Sequence, residues 1–167
     1  MTESPELVYM DQPRVERTLK RMAYQISEQN RKDREILLLG IEQRGSVIAR
    51  QLKQYLEEIY DRSFHMLQIG EEAISEQEIE TVPPPQTFPV VVDDVIFTGR
   101  TMFSALKRIH EVTAFGQMYT AVLVDRGHRS FPVQAQFVGM KLSTKLREHV
   151  SVRIEDDHVE QVVLEIS

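Results

Sequence analysis

The apolar positions of this chain switch between two periods. Val15, Leu19, Met22 and Ile26 recur at the spacing of one helical stripe and predict a helix from about Gln12 to Asn30. The next block, Glu35-Ile36-Leu37-Leu38-Leu39-Gly40-Ile41, is continuously apolar after its first residue and reads as a strand buried on both faces. Helical spacing returns at Val47, Ile48, Leu52, Tyr55, Leu56 and Ile59, and again at Met102, Ala105, Leu106 and Ile109. Further strands are expected over 64–69, 88–92, 119–125 and 137–142. Val150 to Ile154 should pair with Val159 to Ile166 across an Asp156-Asp157 turn. Strands alternating with helices predict an α/β fold: a mainly parallel twisted sheet flanked by helices, with sites at the carboxyl ends of its strands.

One stretch breaks the pattern. Residues 70–86 are acidic and poor in apolar side chains, and Pro83-Pro84-Pro85 falls near their end, so they read as a loop or lid. The whole chain, 167 residues with 41% hydrophobic content, suffices for one core, and residues 1–167 are expected to form a single domain without internal repeats. The absence of cysteine excludes a disulfide framework and cysteine-based zinc or redox chemistry. No apolar run approaches membrane-spanning length, and Met1 is followed by polar, acidic residues rather than a signal region, so a cytoplasmic protein with no membrane partner is expected. A formal net charge of −6 argues against general nucleic-acid affinity, although not against a local basic patch.

The chemistry concentrates where the strand at Phe88 to Val92 hands over to the helix beyond Thr101. Between them lie Asp93-Asp94, then Val95-Ile96-Phe97 and Thr98-Gly99-Arg100-Thr101. Unpaired amides at a helix start and the positive end of its dipole attract an anion. Two carboxylates beside such a cradle repel bare phosphate but accept from hydroxyls or share a divalent cation, so a sugar phosphate suits the site. A second short loop, Glu42-Gln43-Arg44-Gly45-Ser46, opens a helix at the end of the neighbouring strand and adds backbone donors and one cation. Neither a Gly-x-x-x-x-Gly-Lys-Ser/Thr nor a Gly-x-Gly-x-x-Gly string is present.

The run Pro89 to Thr101 resembles the phosphoribosyl-pyrophosphate signature of type I phosphoribosyltransferases. That resemblance implies their fold with a small, shortened hood or lid. It places the ribose hydroxyls on Asp93 and Asp94, the 5′-phosphate on Thr98, Gly99, Arg100 and Thr101, and the pyrophosphate on Gln43, Arg44 and Gly45. It also implies Mg²⁺, reached by Asp93 and Asp94 directly or through ribose hydroxyls or water, and catalysis resting on Asp93, Asp94 and Arg44. Purine-specific members usually carry a proton-accepting acid where this chain has Phe97, which disfavours hypoxanthine and guanine and leaves a pyrimidine, or no base at all.

Leu123 to Arg129, with Phe131-Pro132 and Thr144-Lys145 beyond, is similar to a narrower branch of that family. Its members are uracil phosphoribosyltransferases that also regulate pyrimidine operons by transcription attenuation. The expected activity is therefore transfer of phosphoribose to uracil, giving UMP and pyrophosphate. The alternative is a catalytically weak sensor of uridine nucleotide or phosphoribosyl pyrophosphate that binds RNA or a protein partner. The branch implies a homodimer or higher homo-oligomer and a messenger RNA surface, here built from Arg17, Lys20, Arg21, His128 and Arg129. Tyr24 and Gln134 stand where the branch usually has basic or histidine residues. The 70–86 segment offers glutamates but no Lys, Arg or Tyr, so turnover is expected to be slow or to rely on another subunit. Asp125 either faces the base or simply ends its strand.

Overall fold

A computed structural model describes residues 5–70, 79, 84–145 and 147–166. The lid expected over residues 70–86 therefore lies mostly outside the described residues. The elements run β1 (Glu6–Met10), α1 (Gln12–Gln29), β2 (Glu35–Ile41), α2 (Glu42–Tyr60), β3 (His65–Ile69), β4 (Thr87–Ile96) and α3 (Arg100–Val112), followed by β5 (Tyr119–Asp125), β6 (Phe137–Lys141), β7 (Glu148–Glu155) and β8 (His158–Ile166). Strands β3-β2-β4-β5-β6 form one sheet in that order, and every neighbouring pair is parallel.

Strand alternation sends successive side chains of β2 and β4 to opposite faces. Leu38, Val90 and Val92 pack with the α1 and α2 stripes, Val15, Leu19, Met22, Leu52 and Leu56 among them. Leu37, Leu39 and Val91 pack on the other face with Met102 and Ile109 of α3. Both faces are thus covered, which is why these strands read as unbroken apolar runs. Asp11 caps α1 by accepting from the Arg14 amide at 3.0 Å, and Pro13 falls in the first turn, where a missing N–H costs little.

The second sheet is a small hood of order β1-β8-β7, antiparallel throughout. The β7–β8 hairpin turns at Asp156 and Asp157, both with positive φ, as the sequence pattern suggests. The hood's third strand, β1, is not signalled by the sequence. It is a five-residue segment whose pairing partner, β8, lies at the far end of the chain. Val150, Val152, Val159, Val162 and Leu164 fuse the hood to the core that contains α1 and α2. Its turn is further fastened to α2, where Arg50 pairs with Asp157 and the Gln51 carboxamide oxygen accepts from the Val159 amide at 3.0 Å.

Candidate phosphoribosyl site

The strand order reverses direction between β2 and β4: from this pair the chain builds outward to β3 on one side and to β5 and β6 on the other. Such a switch point leaves a crevice beyond the carboxyl ends of the two strands. Both motifs singled out from the sequence sit at its edges. The first follows β2, where α2 begins at once with Glu42 in the left-handed region at φ 52°. A non-glycine residue there is strained, and such strain is typically held at ligand-binding turns. The second follows β4, which continues through Asp93, Asp94 and Val95 to Ile96, beyond the Val92 end expected from the pattern. The acidic pair is therefore carried on strand rather than on loop, and its direction is fixed by the sheet.

The two motifs touch. Gly45 is buried, and a Cβ on it would lie 2.5 Å from the Val92 carbonyl oxygen and 3.4 Å from the Asp93 Cα, so α2 approaches β4 as closely as backbones allow. Arg44 donates from Nε to Asp94 Oδ2 at 2.8 Å and from Nη2 to the Val152 carbonyl of β7. Asp94 Oδ1 accepts from the Val95 amide at 2.8 Å, and Asp93 Oδ1 accepts from the Asp94 amide at 2.8 Å. Confinement among neighbouring groups pushes the Asp93 carboxyl well above the usual carboxylate range, the adjacent Asp94 charge adds to this, and Arg44 offsets only part of it. Gln43 lies exposed beside them.

Beyond Ile96, Gly99 takes φ 85°, a conformation that glycine adopts without steric cost, and α3 starts at Arg100. The Arg100 amide donates to the Thr98 hydroxyl at 3.3 Å, and the Phe103 amide closes the first helical bond to Gly99 at 2.8 Å. Arg100 and Thr101 are exposed on this first turn. A cavity of about 300 Å³ runs from Ile41 and Glu42 to Arg100, Thr101 and Arg108, so a hollow links the two helix starts. A hollow of about 380 Å³ lies elsewhere, lined by Asn30, Lys32, Arg34 and Tyr119 near the amino ends of β2 and β5, and includes none of the motif residues.

The segment after β5 braces the loop from behind. Arg126 donates its amide to the Ile96 carbonyl at 2.9 Å, and Ser130 and Phe131 donate theirs to the Thr98 carbonyl at 2.8 and 3.1 Å. Arg129 donates to the Phe97 carbonyl at 2.8 Å, to the Val133 carbonyl at 3.0 Å and to Asp125 Oδ2 at 2.9 Å. Asp125 also accepts from the Gly127 amide at 2.9 Å, so it clasps its own loop. The Arg126 guanidinium lies 4.2 Å from the centroid of Phe97 and bonds Thr144 and the Glu148 carbonyl; burial lowers its pKa. His128, at φ 59°, reaches the Thr144 carbonyl at 2.9 Å and meets Phe97 edge-on. The Asp-Arg-Gly-His-Arg run was legible as chemistry-bearing, but nothing in it signalled that Arg126 and Arg129 turn inward.

The five residues expected on an RNA surface separate into two groups. Arg17, Lys20 and Arg21 stand exposed on α1, and Arg21 also bonds the Gly139 carbonyl at 2.6 Å and so stitches α1 to β6. His128 and Arg129 belong to the loop brace just described.

Comparison with known proteins identifies the family. The phosphoribosyl transferase domain model matches residues 8–156. The chain therefore belongs to the type I phosphoribosyltransferase family. Within it, the similarity is to proteins named Bifunctional protein PyrR. The relative from Listeria welshimeri is 33% identical over 175 residues, covering 95% of this chain and 96% of that protein. The one from Streptomyces coelicolor is 34% identical over 167 residues, covering 93% and 86%. Among solved structures, a hypoxanthine phosphoribosyltransferase from Trypanosoma cruzi aligns at TM-score 0.68 and 14% identity, covering 85% of this chain and 78% of that one. A hypoxanthine-guanine phosphoribosyltransferase from Bacillus anthracis aligns at 0.66 and 17%, covering 86% of each. At those identities the structural likeness establishes the fold.

Proposed function

We propose that this protein binds phosphoribosyl pyrophosphate in the crevice between β2 and β4 and transfers its phosphoribose to uracil, forming UMP and pyrophosphate. The single observation that carries the reading is the direct contact of the two motifs, Arg44 to Asp94 at 2.8 Å, because it brings a pyrophosphate-type loop beside a ribose-type acidic pair. As C1′ becomes oxocarbenium-like, Asp93 and Asp94 orient the ribose and favour its positive charge. Charge growing on the departing oxygens meets Arg44 and the amides of Gln43 to Gly45. Thr98 to Thr101 hold the 5′-phosphate. The fold family implies Mg²⁺, and the donor set fits one kind of binding. Among the described residues no group of three or more His, Asp or Glu side chains forms a cage, whereas two adjacent carboxyl groups, Asp93 and Asp94, suit a hydrated ion shared with substrate oxygens. Such an ion supplies neutralisation of the leaving pyrophosphate.

Phe97 supports a pyrimidine. It is 38% exposed, lies against Arg126 and His128, and has no group that accepts a proton. The likeness to proteins called bifunctional supports a second role in pyrimidine-dependent regulation. Messenger RNA would then meet the exposed Arg17 and Lys20 of α1, and the assembly would be a homo-oligomer in the cytoplasm.

The test is Mg²⁺-dependent pyrophosphate release from phosphoribosyl pyrophosphate with uracil, hypoxanthine, guanine or no base. Release with uracil alone, lost in Asp94→Asn while folding persists, is expected. Release with a purine overturns the base assignment. No release with any base, while UMP still raises the melting temperature, overturns transfer and favours the sensor.

A further inference from the structure

Three consecutive carbonyls, that of Ile96 at the end of β4 and those of Phe97 and Thr98 beyond it, are all held by the 126–131 segment. Those of Ile96 and Thr98 accept from backbone amides of the 126–131 segment, and that of Phe97 accepts from the Arg129 side chain. In a planar trans peptide the carbonyl of one residue and the N–H of the next point to opposite sides. Holding the Phe97 and Thr98 carbonyls therefore turns the Thr98 and Gly99 amides away from the brace, as an anion cradle requires. The orientation is reinforced at Gly99, where a Cβ would lie 3.2 Å from Arg129 Cδ, so the arginine's stem fills the space behind that peptide.

Arg129 is itself tightly defined. Its guanidinium spends one face of its fork on Asp125 and the rest on the Phe97 and Val133 carbonyls, and its side chain is only 23% exposed. A planar fork of fixed donors can serve a carboxylate and carbonyls of two segments at once, which a lysine ammonium on a flexible stem does less well.

We infer that Arg129 is a positioning residue for the phosphate end of the ligand: it aims the amides of the Thr98 to Thr101 loop without touching ligand itself. This rests on the phosphoribosyl reading of the site. It also gives Arg129 a task different from a place on an RNA surface, because its Nε, Nη1 and Nη2 each already donate inside the fold.

The test compares UMP with uridine, which differ by the 5′-phosphate, by calorimetric titration of the full chain. Wild type is expected to prefer UMP strongly. In Arg129→Gln the preference for UMP should shrink about tenfold or more, the scale of a lost charge-assisted arrangement, with uridine affinity little changed. Arg129→Lys should recover part of the preference by restoring the Asp125 pair, and serves as the reading if the glutamine variant does not fold. An unchanged preference in both variants overturns the inference and leaves the site assignment standing. Equal loss of UMP and uridine binding overturns it too, since that marks general damage. Failure of wild type to bind UMP or phosphoribosyl pyrophosphate removes the phosphoribosyl reading on which it rests.

Discussion

Asp93 is a carboxyl that the fold makes reluctant to ionise. Confinement, then the neighbouring Asp94 charge, raises its pKa in the folded chain above the unfolded value. Between those two values the folded state holds more protons than the unfolded state, so this group's contribution to stability falls as pH rises through the interval. Asp93→Asn removes the term. We expect the variant to be more stable than wild type near neutral pH, with the difference shrinking toward acid, as read by urea midpoints between about pH 4 and pH 7 in Mg²⁺-free buffer. A difference independent of pH would contradict the account. Gly45 carries a steric rather than an electrostatic demand. Because its Cβ would fall 2.5 Å from the Val92 carbonyl oxygen, Gly45→Ala must push α2 off β4. A loss of about 1–3 kcal/mol is expected in chemical denaturation, the usual cost of overpacking, together with loss of phosphoribosyl pyrophosphate binding in titration.

At the scale of elements, α2 is the part that joins sheet, site and hood. Its first turn sends Arg44 both to Asp94 on β4 and to the Val152 carbonyl on β7, and one turn and more later Arg50 and Gln51 hold the β7–β8 hairpin and its turn. The Arg44 pair is half exposed on the arginine side, so it adds less than about 1 kcal/mol to stability. Arg44→Ala should therefore leave the melting temperature within a few degrees while lowering turnover by about 100-fold or more, since one preorganised contact to developing charge is lost. Arg50→Ala should show the opposite balance, nearly full turnover with a small stability loss, measured in the same two assays. Much of this layer was readable beforehand. Leu37, Leu38 and Leu39 spell a doubly covered strand, and the α1 stripe from Val15 to Ile26 is wholly buried. Strand β1 was not readable, because Leu7, Val8 and Tyr9 gain their meaning from Leu164 and its neighbours at the other end of the chain. Nor did the pattern show β4 running on to Ile96, since acidic residues disguise a strand whose last turns face a crevice.

For the whole molecule, the arrangement follows from one reversal of strand order. Placing β2 beside β4 brings Gln43, Arg44 and Gly45 against Asp93 and Asp94, with Thr98 to Thr101 completing the far edge. The residue types and their spacing were legible in sequence because each motif is contiguous along the chain. Their mutual distances were not, because they depend on which strands pair. The inward engagement of Arg126 and Arg129 was equally hidden, as a basic run in a loop carries no mark of which way its side chains turn. The central claim is that one ligand spans both loops, and a crystal structure of the protein with phosphoribosyl pyrophosphate and Mg²⁺ tests it most directly. The account predicts 5′-phosphate density on the Thr98–Thr101 amides, ribose hydroxyls on Asp93 and Asp94, and pyrophosphate at Gln43 to Gly45 with Arg44 drawn toward it. Ligand bound away from the acidic pair, or held by one loop with the other untouched, would contradict it.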